Sequence, residues 1–124
     1  MIALVSFDIL VSFDIDGTLE LGDPPGMITI EMLRRLKRRG YLIGSGSDRP
    51  LSYQRELWKR LRIDADFTAL KHRLAEIKAR FPAQAYYHIG DTEVDDDLAT
   101  RAGFRFLRAD ADAHAAWGPE IFGA

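Results

Sequence analysis

Short apolar runs alternate with longer amphipathic stretches along this chain. The short runs are rich in β-branched and aromatic residues, which is typical of buried strands. Such strands are predicted within residues 4–15 and over residues 41–44, 66–70, 85–89 and 104–107. Helical spacing of apolar residues predicts helices over residues 30–39, 51–61, 71–81 and 93–102, with one short helix before Gly118. Strands that alternate with helices indicate βαβ units, and therefore an α/β, three-layer Rossmann-like fold with a five-stranded parallel sheet.

The first strand contains an exact tandem repeat. Residues 4–9 read LVSFDI, and residues 10–15 read LVSFDI again. At about 3.3 Å per residue, residues 1–15 would extend roughly 50 Å, far more than one strand position holds. A shift by an even number of residues keeps every side chain on its original face, so either copy fits the same position. The extra copy is either a harmless tail or the basis of a register change or strand exchange.

Length and composition fit one domain over residues 1–124, in which residues 4–9 are the extra copy. The chain is 47% hydrophobic and 29% charged, with 17 basic and 19 acidic side chains and a net charge of −2. This near balance argues against a nucleic-acid partner, and no apolar run is long enough for a membrane span. With no cysteine, disulfides and thiolate metal sites are excluded. We therefore expect a cytoplasmic protein without nucleic-acid or membrane partners.

Polar residues collect directly after the predicted strands. Ligands of parallel α/β folds bind at the carboxyl ends of the strands, so these side chains should meet at one edge. They are Asp14 and Asp16 after the first strand, Ser45 and Ser47 after the second, Lys71 after the third, and Asp91 and Asp95 after the fourth. Converging carboxylates raise each other's pKa unless a cation joins them. An all-oxygen cluster suits Mg²⁺ better than zinc. The three histidines show no ligand spacing, and surface or core positions are expected for them.

The order of these motifs resembles the haloacid dehalogenase superfamily, whose members are mostly Mg²⁺-dependent phosphohydrolases. The matching motifs are DIDGT at residues 14–18, a serine after the second strand, Lys71, and GDTEVD at residues 90–95. Together they span nearly the whole chain. The pair DxDGT and GDxxxD is specific, whereas either half alone would be weak. The loops are too short for the cap domains that select substrates in that family.

The resemblance implies a role for each matched residue. Asp14 would be the nucleophile that forms an aspartyl-phosphate, and Asp16 the general acid and then base. Thr18, Ser47 and Lys71 would bind the phosphoryl group. Mg²⁺ would be held by the carboxylate of Asp14, the backbone carbonyl of Asp16, and Asp91 and Asp95. The implied function is a phosphatase that acts on a phosphomonoester of a small molecule or macromolecule.

Some alternatives stay open at the level of the sequence. Ser45 competes with Ser47, Lys78 competes with Lys71, and Asp48 adds a negative charge that departs from the family pattern. A receiver-type phospho-acceptor domain is a rival, although its acceptor aspartate would follow the third strand, where Lys71 stands. A catalytically impaired variant is another rival.

The impaired variant follows from the repeat. If the first copy took the central strand, Asp8 would replace Asp14, and Leu10 would stand where the general acid is needed. We therefore predict that activity requires the second copy in the central strand. The displaced copy would be an exposed apolar strand, so a homodimer formed by strand exchange is a further expectation.

Overall fold

Strands and helices alternate along the chain in the computed structural model, which describes residues 7–122 and side chains from residue 9 onward. The strands are β1 (Phe7–Phe13), β2 (Leu42–Ser47), β3 (Phe67–Leu70), β4 (Ala83–Gly90) and β5 (Arg105–Arg108). The helices are α1 (Ile30–Arg38), α2 (Leu51–Leu61), α3 (Leu74–Arg80), α4 (Glu93–Arg101) and α5 (Ala111–Phe122). A short 3₁₀ turn, Lys71–Arg73, joins β3 to α3.

All five described strands are parallel and lie in the order β3-β2-β1-β4-β5. The predicted α/β, three-layer Rossmann-like architecture is therefore confirmed. After β3 the chain crosses from one edge of the sheet to the far side of β1 and enters β4. The strand order thus reverses at β1, and the crevice between β1 and β4 is where ligands of such sheets bind.

The second copy of the repeat occupies the central strand position. Leu10 pairs with Leu42 of β2 on one side and with Tyr86 of β4 on the other, and Phe13 is fully buried. The end of the first copy continues along β4 alone, where Phe7 pairs with Ala83. The rest of that copy, residues 4–6, lies outside the described residues, as does any strand exchange that it would make.

Alternating side chains of β1 enter two cores. Val11 and Phe13 pack on the face covered by α1, α2 and α5, together with Trp58 and Trp117. Leu10 lies on the opposite face with residues of α3 and α4. Each face of β1 is therefore covered by helices, and polar side chains on this strand are buried unless they lie at its carboxyl end.

Local sequence signals define several helix ends. Thr29 caps α1 by accepting a hydrogen bond from the amide of Met32 (3.1 Å). Thr92 caps α4 in the same way through the amide of Asp95. Gly40 and Gly103 follow α1 and α4 with φ of +82°, a left-handed conformation that favours glycine and ends each helix.

Two elements differ from the predicted ones. The predicted third helix begins as the 3₁₀ turn and becomes α-helical only at Leu74. The last helix was expected to end before Gly118, but α5 runs through Pro119 to Phe122. Burial of Trp117, Ile121 and Phe122 against the core outweighs the local helix-breaking signal. Among residues 7–122, no helix has the length and apolar character needed to cross a membrane.

Candidate functional site

A cavity of about 350 Å³ lies at the carboxyl edge of the sheet, at the reversal of strand order. Five of the predicted site residues line it: Asp14, Asp16, Ser47, Lys71 and Asp91. The remaining lining residues are Pro24, Asp48, Thr92 and Val94. Residues from four different segments of the sequence therefore meet in one place, because each follows the carboxyl end of a parallel strand.

Three carboxylates form the centre of this site. One oxygen each of Asp14, Asp91 and Asp95 lies within 4.8 Å of the others. The Nζ of Lys71 lies 2.9 Å from Oδ1 of Asp95 and 3.4 Å from Oδ1 of Asp14. One ammonium thus faces three carboxylates, which leaves the cluster with an excess of negative charge when all are ionised.

Two glycines allow the carboxylates to approach the strand ends. Gly17 has a φ of +76°, and a Cβ there would lie 1.9 Å from Oδ2 of Asp91. A Cβ on Gly90 would lie 2.4 Å from Cγ of Asp95. The glycines of the DIDGT and GDTEVD motifs therefore make room for the aspartates of the cluster, and a side chain at either position would displace a carboxylate.

Asp95 is fully buried and receives hydrogen bonds from three directions. Its Oδ1 lies 2.9 Å from both Nε2 of His88 and Nζ of Lys71, and its Oδ2 accepts from the hydroxyl of Thr92 at 2.8 Å. Burial alone would raise the pKa of Asp95, but the hydrogen bonds from His88 and Lys71 outweigh it and hold this pKa well below its usual range. Asp95 is therefore an anion fixed beneath the cavity.

His88 connects Asp95 to the middle of the sheet. It is fully buried, and its Nδ1 lies 2.9 Å from the hydroxyl oxygen of Ser12. Burial lowers the pKa of His88 despite the neighbouring carboxylate, so the ring is neutral. The consistent arrangement has Nε2 donating to Asp95 while Nδ1 accepts from the Ser12 hydroxyl. A Cβ on Gly46 would lie 2.6 Å from Oγ of Ser12, so this glycine gives the pair its space.

Asp14 differs electrostatically from Asp95, although the two are neighbours. Burial and the charge of Asp95 raise the pKa of Asp14 to about 7, and Lys71 offsets only part of this effect. Asp14 is 6% exposed and faces the cavity at the end of β1. It is therefore a carboxyl group whose ionisation responds to charge brought into the site.

Asp16 lies at the cavity in a bidentate ion pair. Nε of Arg49 donates to its Oδ2 at 2.8 Å, Nη2 of Arg49 donates to its Oδ1 at 3.2 Å, and the amide of Asp23 donates to Oδ1 at 2.9 Å. Partial burial favours the neutral acid, but the hydrogen bonds from Arg49 and Asp23 prevail and lower the pKa of Asp16. In this arrangement Asp16 is ionised.

The structure shows which of the two candidate serines and which of the two candidate lysines lies at the site. Ser47 lines the cavity, whereas the hydroxyl of Ser45 is buried, donates to Oε1 of Gln54 at 2.6 Å and accepts from Nε1 of Trp58 at 2.9 Å. Lys71 lies among the carboxylates, whereas Lys78 donates to the carbonyl of Gly103 at 3.1 Å. Of each pair, Ser47 and Lys71 are the residues at the site.

Thr18 and Asp48 lie less directly at the carboxylate cluster than the site residues described above. Thr18 is fully buried, its Oγ1 has no hydrogen-bond partner among the described residues, and it is not among the residues that line the cavity. Asp48 lines the cavity with a side chain that is 80% exposed, 3.9 Å from Nζ of Lys71. The structure offers no explanation for this additional negative charge.

The sequence did not single out Ser12, His88 or Arg49 for this site. Ser12 precedes Asp14 by two residues, so the alternation of side chains along a strand places it on the same side of β1 as the aspartate's position. That alternation was the available signal for Ser12. His88 precedes Asp91 by three residues, and its spacing carries no such signal. The contact between Arg49 and Asp16 joins residues 33 positions apart, and their spacing carries no such signal.

The donor set suits a hard divalent cation. All the nearby anionic donors are carboxylate oxygens, which Mg²⁺ prefers, and the excess negative charge at Asp14, Asp91 and Asp95 would be offset by such an ion. The raised pKa of Asp14 is the expected property of a carboxyl group in a cluster that has too few cations.

Comparison with known proteins adds no assignment: no protein-family model and no curated protein matches this chain.

Proposed function

We propose that this chain is a Mg²⁺-dependent phosphohydrolase of the haloacid dehalogenase type, acting on a phosphomonoester through an aspartyl-phosphate. The observation that carries the proposal is the position of Asp14, which lines the cavity with Nζ of Lys71 3.4 Å away and two more carboxylates close by. The charge of Lys71, together with that of a bound cation, would offset the repulsion between this carboxylate and an anionic phosphate, which nucleophilic attack requires.

The first chemical step uses the oxygen of Asp14 that faces the cavity. This oxygen attacks phosphorus, the bond from phosphorus to the ester oxygen breaks, and the phosphoryl group passes to Asp14. The leaving oxygen takes a proton from Asp16. In the second step Asp16 accepts a proton from a water molecule that attacks the same phosphorus. Inorganic phosphate leaves, and Asp14 is regenerated.

Lys71, directly after β3, and Ser47, at the end of β2, support this chemistry. Lys71 is 5% exposed, and Asp95 fixes its ammonium group at 2.9 Å. A charge held in place in this way stabilises negative charge on the phosphoryl oxygens without further reorganisation. The hydroxyl of Ser47 accepts from the amide of Arg49 at 3.0 Å, which leaves its own proton free to donate to a phosphoryl oxygen.

Asp16 must be protonated to act as the general acid in the first step, although its ion pair with Arg49 favours the ionised carboxylate. A phosphoryl dianion that enters the cavity competes for the guanidinium, because Arg binds phosphate as well as carboxylate in a bidentate manner. Weakening of the ion pair would then return the pKa of Asp16 toward its usual value. Arg49 thus couples phosphate binding to the protonation of the general acid.

The carboxylates of Asp14, Asp91 and Asp95, with the backbone carbonyl of Asp16, are the proposed ligands of Mg²⁺. When bound, the ion supplies positive charge that polarises the phosphoryl group and offsets the repulsion between carboxylates.

The repeat supplies a matched control for testing the nucleophile. Asp8 and Asp14 hold the same position in the two LVSFDI copies, and Asp14 lines the cavity. We expect release of p-nitrophenol from p-nitrophenyl phosphate that requires MgCl₂ and is abolished by EDTA. Asp14→Asn should lower turnover by roughly three orders of magnitude or more, whereas Asp8→Asn should retain it.

Two results would contradict the proposal. Equal activity of Asp14→Asn and the unmodified chain would exclude Asp14 as the nucleophile. Stoichiometric labelling of the chain by acetyl phosphate without turnover would favour the receiver-type alternative, since a phospho-acceptor domain stores the phosphoryl group.

A further inference from the structure

A second region with binding character lies at the β3 edge of the sheet, away from the carboxylate cluster. Two cavities flank this edge, one of about 470 Å³ beside α2 and one of about 350 Å³ beside α3. They share Thr68 of β3 and Arg80 of α3 as lining residues. Together they form a groove along β3, which we call the β3 groove.

The floor of this groove is an edge strand, in which the carbonyl of Ala69 already accepts a hydrogen bond from Nε2 of Gln54 at 2.9 Å. β3 is the last strand of the sheet, and within residues 7–122 it has a strand partner on one side only, β2. An edge strand presents backbone N–H and C=O groups that can pair with an added strand. The described helices α2 and α3 flank this edge and leave the groove between them.

The walls of the groove are mainly cationic. Arg55 and Lys59, one turn apart on α2, are exposed and form no ion pair among the described residues. Arg80 lies on the other wall, 5.2 Å from the ring of Phe81. Arg73 also lines this wall, paired with Glu76 at 3.1 Å, and Asp64 is the acidic lining residue of the cavity beside α2. The net positive charge is local, because the whole chain carries −2.

An apolar base lies between these cations. Trp58 and Phe67 line the cavity beside α2, and Ile77 lines the one beside α3. Alternate side chains of an added strand would point toward α2 and toward α3, and would therefore meet cations on both sides. A central β-branched residue would contact the apolar base.

We propose that the β3 groove binds an extended acidic peptide segment of a partner protein, which adds to β3 as a sixth strand. Main-chain pairing with the edge supplies a sequence-independent part of the affinity, and the cations select for acidic side chains. This surface is separate from the proposed nucleophile and metal ligands, so its occupancy does not depend on the phosphatase chemistry.

The proposal can be tested by fluorescence polarisation in EDTA with the labelled, end-blocked peptide Glu-Glu-Val-Ile-Val-Glu-Glu. We expect saturable binding that is lost when glutamine replaces glutamate in the peptide. The double variant Arg55→Glu with Lys59→Glu should weaken binding by at least about tenfold. The control double variant Arg35→Glu with Arg39→Glu changes the net charge equally on exposed positions of the α1 region and should bind as the unmodified chain does.

Hydrogen exchange locates the peptide. Protection of the amides of residues 67–70 on peptide addition supports pairing with β3. The proposal is overturned if the peptide does not bind, if both double variants lose affinity equally, or if protection appears only elsewhere. It is also overturned if a single-stranded oligonucleotide of matched charge binds more tightly, or if light scattering shows that a second copy of the chain already covers the groove.

Discussion

At the scale of single residues, the site depends on one buried path of hydrogen bonds. Ser12 contacts His88, His88 contacts Asp95, and Asp95 fixes Lys71, each link at 2.9 Å. A buried carboxylate without such partners would cost several kcal/mol. The path therefore both stabilises Asp95 as an anion and sets the position of the ammonium group that faces Asp14.

Substitution of His88 tests that path. His88→Leu should lower the free energy of unfolding by about 2–4 kcal/mol, because it leaves a buried carboxylate with one partner fewer. His88→Gln, whose amide nitrogen reaches the position of Nε2, should recover a large part of this loss and of the phosphatase turnover. Urea denaturation and initial rates check both effects. Equal losses for the two variants would show that ring packing matters and the hydrogen bond does not.

Arg49 is expected to set the upper pH limit of the reaction. Its ion pair lowers the pKa of Asp16, and the proposed general acid must carry a proton. Removing the guanidinium in Arg49→Met raises the pKa of Asp16, so the alkaline limb of the kcat/KM profile should move to higher pH. Arg55→Met, on a face of α2 away from this site, is the control. An unchanged limb in Arg49→Met would exclude Asp16 as the titrating acid.

At the scale of elements, the register of β1 is determined by contacts with neighbouring elements as well as by its own sequence. Both copies of LVSFDI would fill the core equally well. The observed register additionally places Asp16 beside Arg49 and Gly17 against Asp91. It also leaves Phe7 and Ile9 paired with β4. Contacts that lie outside the repeat therefore decide between two locally equivalent registers.

Deletion of residues 4–9 should consequently leave the site intact. Met1, Ile2 and Ala3 would then precede Leu10, so that alanine replaces the half-buried Ile9 beside the core. We expect turnover within about twofold of the full chain and a loss of roughly 1–2 kcal/mol in the free energy of unfolding. Higher turnover in the deletion variant would mean that the full chain also populates the inactive register.

The elements differ in how well the sequence predicts them. The predicted ranges of α1 and α4, residues 30–39 and 93–102, each differ from the observed helices by one residue at the C-terminal end. The predicted end of α5, before Gly118, was wrong. The helix-breaking signal of Gly118 and Pro119 is local, whereas the burial of Ile121 and Phe122 that extends the helix depends on the assembled core. The motif aspartates were predictable from their positions after strands. The contact of Ser12 with His88 was not, because it spans 76 residues and depends on strand order.

At the scale of the whole molecule, the site concentrates unfavourable charge within a protein of nearly balanced composition. The fold provides one buried ammonium for three clustered carboxylates, and burial of Asp14 adds to the cost of ionising it. Functional sites commonly reduce stability in this way. The β3 groove shows the opposite imbalance, with cations gathered at the far edge of the same sheet.

The cost of charging Asp14 predicts a pH-dependent difference between the chain and its Asp14→Asn variant. The pKa of Asp14 is about 7 in the folded chain and about 4 when unfolded, so the folded state binds more protons between these values. In EDTA, rising pH therefore removes stability from the unmodified chain that the variant keeps. The variant should match it near pH 4 and exceed it at pH 8 by up to about 4 kcal/mol. MgCl₂ at pH 8 should reverse this order, because the ion stabilises the carboxylate. A difference that is constant from pH 4 to pH 8 would contradict the raised pKa of Asp14.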